Sequence, residues 1–287
     1  MLFALVCLGG YVLWHRLEGT ITSAPEYRVT RESFVLLNLP PWIHSDIAGE
    51  VLHQMDLDGA VSLLDDDLTA RITKAFELHP WVARVLRVEK RYPAQVIVHA
   101  EYRRPVCMVE VPADAADEEP AVPSASTTTG ALGLYPVDIS GVLLPTADFS
   151  RAEAARYPRL SGIESLPIGP VGTNWGDPRV TGGAEIAAVL ASDWENLRLE
   201  RIIPSRQPQS GGSSDDFSYE LVARDGSRVI WGQRPGSRLA DEVSPAEKLE
   251  RLRKVLTTAP GQEATPLDLD IRYPSGVIAG PRTASRP

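Results

Sequence analysis

The stretch FELHPWVARVLRVEKRYPAQVIVHAEYRRPV, residues 76–106, decides the fold, because it changes from helical to strand periodicity at His79-Pro80-Trp81. Upstream of the change, Leu68, Ile72 and Phe76 recur every four residues. That spacing lines one helix face and predicts a helix over about residues 67–78. Pro80 cannot continue the helix, and it pushes His79 toward extended backbone. Trp81 then stands at the helix–strand corner, where a large ring closes off a core. Beyond it, Val82, Leu86 and Val88 are expected to share one strand face, and Val96, Val98, Ala100 and Tyr102 one face of the next strand. Residues 91–94, Arg-Tyr-Pro-Ala, supply the turn between them. One apolar face per strand means a sheet covered on one side only.

Working outward, residues 33–39 form a short β-prone run closed by Pro40-Pro41. Ile43, Ile47, Val51, Leu52 and Met55 then follow helical spacing. The predicted order is strand, helix, helix, strand, strand, with both helices on one face of a three-stranded sheet. Downstream, residues 112–131 are rich in Pro, Ala, Thr and acids and read as a linker or long loop. Residues 132–145 read as a hairpin around an Asp-x-x-Gly turn, and residues 157–180 as irregular. A helix is predicted from Thr181. Residues 217–233 form a second hairpin with Asp225-Gly226 at its turn. Ser244, Pro245 and Glu247 open another helix with a capping box. Residues 267–279 close the fold as one or two strands, and a disordered tail is expected over 280–287.

The chain has 287 residues and a formal net charge of −9. That charge argues against nucleic acid, which demands a basic footprint. Cys7 and Cys107 are too few for a disulfide framework or a zinc site. Residues 1–14 carry no charged side chain. With no basic region before them and no small-x-small cleavage site after, residues 1–17 are read as a signal-anchor helix rather than a cleaved signal or a buried helix. Residues 18–32 become a tether. The expected location follows: single-pass in the cytoplasmic membrane, with the bulk of the chain in the periplasm.

Six stretches in series resemble the bacterial cell-division family FtsQ/DivIB. They are HPWV at 79–82, VEKRYPAQVIV at 88–98, YRRPVC at 102–107, YPVDISGVLLP at 135–145, YPRLSG at 157–162 and LDLDIRYPSGVIA at 267–279. Tyr102 departs from the family's usual Glu, and Cys107 from its usual Ala. The resemblance implies an α+β fold: a single N-terminal anchor, a POTRA-like βααββ domain over 33–111, and a mostly antiparallel β-domain with flanking helices over 132–279. It also implies a non-enzymatic scaffold of the divisome that recruits FtsB- and FtsL-type partners by strand addition and links the division ring to septal wall synthesis. By motif, Arg272, Tyr273, Ser275, Gly276 and Val277 fall on the partner-binding strand. The bland alternative makes Arg272 and Tyr273 ordinary strand residues.

Other candidate sites read as structure. His79, Pro80 and Trp81 form a corner plug rather than a ligand site, since no Cys or carboxylate sits at ligand spacing beside His79. The acids at 56–58 and 65–67 lack the alternating ligands of a calcium loop and suit helix N-termini instead. Arg84, Arg87, Lys90 and Arg91 read as a solvated face, with partner or headgroup contact as the alternative. No GxSxG, HExxH, P-loop or GxGxxG is present. No enzyme activity, cofactor, metal or small-molecule substrate is therefore expected. A POTRA-type chaperone of envelope proteins is the second reading. A KH-type RNA binder fails for want of a GxxG loop and a basic face.

Overall fold

The computed structural model describes residues 25–55, 61–112, 122–123, 132–205, 217–237, 242–256, 266–274 and 278–281. The chain divides into two compact units, with the boundary between Arg103 and Arg104.

The first unit holds β1 (Phe34–Leu37), α1 (Ile47–Gln54), α2 (Leu68–Glu77), β2 (Val82–Arg91) and β3 (Gln95–Tyr102). Its sheet has the order β1-β3-β2, with β1 parallel and β2 antiparallel to the central β3. The parallel pair is made feasible by the long helical crossover between its strands. Both helices bury one stripe: Ile47, Ala48, Val51 and Leu52 on α1, and Leu68, Ile72, Ala75 and Phe76 on α2. With the buried Val96 and Val98 of β3 these stripes form the core, and the Phe34 and Phe76 rings meet at 5.8 Å.

At the corner, the buried Trp81 ring is anchored by its own backbone. Arg103 N–H donates to Trp81 O at 2.8 Å, and Trp81 N–H donates to His79 Nδ1 at 3.2 Å. With Nδ1 accepting, the His79 proton sits on Nε2, which faces Glu50 Oε2 of α1 at 3.1 Å. Both ring nitrogens are thus engaged within the protein. The His-Pro-Trp break ties helix end, neighbouring helix and strand end together.

Three expectations for this unit change. Leu86 does not share a face with Val82 and Val88. The β2–β3 register shifts between Val82 and Arg84 and again between Val85 and Arg87, so Leu86 is the extra residue of a bulge and is 55% exposed. A bulge adds one residue and resets the alternation. The tether is partly structured: Val29 is buried, and its N–H donates to Val61 O at 2.9 Å. Asp67 stands at the α2 N-cap without a side-chain cap bond, leaving only its charge to favour the helix dipole. Residues 56–60 lie outside the described residues.

The second unit is built on a nine-stranded sheet, order β12-β11-β10-β9-β8-β7-β4-β6-β5. The strands are β4 (Pro105–Pro112), β5 (Val122–Pro123), β6 (Leu132–Asp138), β7 (Arg159–Leu160), β8 (Leu199–Ser205), β9 (Ser218–Ala223), β10 (Arg228–Gly232), β11 (Leu267–Asp270) and β12 (Ile278–Pro281). The helices are α3 (Arg151–Ala154), α4 (Pro178–Leu190) and α5 (Pro245–Leu256). β4 belongs to this sheet, paired with β6 and β7, rather than to the first unit. Its residues 105–111 are all buried, as befits a central strand. β5 falls within the expected linker, and β12 takes two residues of the expected tail.

The sheet is mixed. β7 is parallel to both β4 and β8, and β10 is parallel to β11 across the α5 crossover. The β6 turn follows the expected chemistry: Asp138 Oδ1 accepts from the N–H groups of Ser140 and Val142, both at 2.9 Å, and Gly141 takes φ 73°. α4 begins earlier than expected, because Asp177 caps it and Pro178 opens it. Gly182 lets α4 lie close on the sheet. A Cβ there would strike the Tyr219 hydroxyl, which donates to Arg179 O at 3.1 Å.

The anchor is a further correction. Among the described residues no helix is long and apolar enough to cross a membrane. Residues 1–17, on which the anchor was read, lie outside the described residues. The architecture is α+β with mixed sheets, and neither the anchor helix nor the membrane location is carried forward.

Candidate partner-docking edge

The expected partner strand begins on β11, which is enclosed. β10 pairs with one side of it, in parallel, and β12 with the other, antiparallel from Leu267↔Pro281 to Asp270↔Ile278. β12 ends the sheet, so the open side of the terminal hairpin belongs to β12. On an edge strand alternate residues point N–H and C=O outward, where an extended chain can bind them.

Arg272 and Tyr273 lie in the corner between the two strands. Their backbone groups are already engaged. Arg272 N–H donates to Asp270 Oδ1 at 3.1 Å, and Val243 N–H donates to Arg272 O at 2.8 Å. Arg251 Nη1, from α5, donates to Tyr273 O at 2.5 Å and reaches Ile271 O at 3.5 Å. The Arg272 guanidinium grips Asp270, with Nε to Oδ1 at 3.0 Å and Nη2 to Oδ2 at 2.7 Å, and lies 4.9 Å from the Tyr273 ring centroid. Burial pushes the Asp270 carboxyl up, but the hydrogen bonds from the Arg272 side chain and backbone outweigh it and hold the group below the usual carboxylate range. Ser275, Gly276 and Val277 lie outside the described residues.

A buried ion pair fixes α5 beneath this corner. Lys248 Nζ meets Glu242 Oε2 at 2.5 Å and sits 5.4 Å from the Trp231 ring centroid. Glu242 Oε2 also accepts from Gln233 N–H at 2.9 Å. Gly232, at φ 88°, makes room for that carboxylate, because a Cβ would run into it. On the sheet face beside β11 lies a cleft of about 350 Å³, lined by Glu220, Arg228, Ile230, Asp268, Leu269 and Asp270.

The chain matches no family model and no curated protein.

A larger cleft of about 800 Å³ lies at the start of α4, between Glu164, Ile168, Trp175, Asp177, Arg179 and Phe217. Ser165, Asp177 and Arg179 are bonded to one another there. Ser165 donates to Asp177 at 2.6 Å, and Arg179 Nη2 donates to the same carboxylate at 2.7 Å. Burial pushes Asp177 up, but these bonds hold it lower, so it stays a capped anion and is poorly placed to take up a proton. Among the described residues, no group of three or more His, Cys, Asp or Glu side chains could hold a metal ion. Cys107 is buried, and burial pushes its thiol far up, so it supplies no thiolate near neutral pH.

Sequence reasoning missed α5 as the support of the terminal corner. The signal was the Glu247-x-x-x-Arg251 pair. Their side chains meet at 2.6 Å and turn the guanidinium toward the closing strand.

Proposed function

We propose that this chain is a non-enzymatic scaffold of the bacterial divisome, capturing FtsB- and FtsL-type coiled-coil proteins by strand addition and linking the division ring to septal wall synthesis. One observation carries the reading: among the described residues the nine-stranded sheet ends in β12, with no further strand on its outer side, while its inner side is held by β11. Main-chain pairing along such an edge supplies affinity, and side chains beside it supply selectivity. The six-stretch resemblance supports the choice of partner class, and the βααββ order of the first unit supports the resemblance.

Co-purification with the cognate FtsB-like protein tests this. The full chain retains the partner. Deletion of residues 278–287 abolishes retention, and Tyr273→Lys weakens it with the melting transition unchanged. Equal retention by the wild type and the deletion would remove β12 from the account.

A further inference from the structure

We propose that Arg251 is a positioning residue for the docking edge: from α5 it fixes the corner that sets the course of β12 along the end of the sheet. The inference rests on β12 being the partner edge, and goes beyond it by assigning control of that edge to a helix outside the hairpin.

The carbonyls of the corner are met from α5 and the residues leading into it, while Ile271 N–H donates to Ile230 O of β10 at 3.4 Å. Arg251 Nη1 takes the carbonyl of Tyr273 and lies within reach of that of Ile271. Val243 N–H takes the intervening carbonyl of Arg272. Three successive carbonyls thus face one element. The guanidinium is only 15% exposed, and Glu247 Oε1 accepts from its Nη2 at 2.6 Å, which fixes the fork in place. The helix cannot easily shift, because the Lys248–Glu242 pair ties it to the end of β10. A β-hairpin edge so short loses little of its own pairing when it swings, so its direction must be imposed from elsewhere. Capture of an extended chain rewards an edge already aimed, because less ordering is left to binding.

The test is Arg251→Met in the full chain, read by two measurements. Amide exchange across residues 271–280 is expected to accelerate on the order of tenfold while β8 and β9 keep their protection. Affinity for the same FtsB-like protein is expected to fall by a similar factor, with Arg251→Lys restoring part of both and Glu247→Gln changing either only slightly. Should Arg251→Met fail to fold, Val243→Pro removes the donor to Arg272 O and is expected to give the same exchange pattern. Wild-type capture with unaltered exchange and affinity in Arg251→Met would overturn this proposal and leave the docking reading standing. Failure of the wild type to bind the partner would overturn both.

Discussion

Among the described residues the first sheet ends in β1 and β2 and the second in β12 and β5, and β2 and β12 are treated differently. β2 borders the first sheet for ten residues, long enough to template a foreign strand. It is also broken by two register shifts, pushes Leu86 into solvent, and carries Arg84, Arg87, Lys90 and Arg91. Bulges and clustered cations are the means by which sheets discourage unwanted pairing. β12 is only four residues long, yet it pairs with β11 without a shift. The long edge is guarded and the short one is left regular. The supports differ too. In the first unit the corner at Trp81 is held by a buried ring, whereas in the second the corner at Tyr273 is held by the Arg251 charge. Emptying a packed corner costs several kcal/mol. A charged one can be loosened locally, which suits the end of the chain that is proposed to bind.

Substitutions that separate the two corners sharpen this contrast. Trp81→Ala should cost the first unit about 3–5 kcal/mol, the range for emptying a buried aromatic site. Denaturant melting followed by a probe in that unit checks it, and the second unit's transition should stay put. Lys248→Met should cost the second unit about 3 kcal/mol, because it strands the Glu242 carboxylate without its partner. There the thermal transition of the second unit falls, and β2–β3 amides keep their protection.

Acid should loosen the second corner. The Asp270 carboxyl is held below its ordinary value of 3.8, so its contribution is fully present above that pH. It is lost as pH falls through the depressed folded value, since the unfolded chain then binds the proton more readily. Amide exchange at 271–273 is expected to quicken in that window before global unfolding, and Asp270→Asn should remove the dependence. The smallest effect belongs to Leu86→Lys. The bulge already exposes that side chain, so stability should change by less than about 0.5 kcal/mol in a melt. A large loss would mean that Leu86 is buried in solution and that β2 is not the guarded edge described here.

The sequence was most readable where one local cause acts alone. Pro80 ends α2 whatever surrounds it, Asp138 and Gly141 build their turn from their own atoms, and alternation along β3 places Val96 and Val98 inward. It was least readable where the cause lies elsewhere in the chain. Leu86 fits the strand pattern by counting, and only the pairing with β3 reveals the extra residue. The β4 run reads as the end of the first unit, although its apolar stretch from Pro105 to Val109 already marks a strand covered on both faces. The parallel pairings of β7 depend on crossovers that no short window contains. At the candidate site, the motif at 272–277 begins in the corner of the terminal hairpin, whereas the side facing away from β11 belongs to β12. Its control by Arg251, some twenty residues upstream, is set by tertiary contact. An apolar N-terminal run suggested an anchor on composition alone, and no described helix meets the length and apolarity that a span requires.

The central claim is that the edge of β12 receives the partner. Amide exchange of the full chain, measured with and without the FtsB-like protein, tests it most directly. The account predicts that binding slows exchange at residues 278–280, with β2 unchanged. Slowing confined to residues 82–91, or no slowing at 278–280 in a complex that forms, would contradict it.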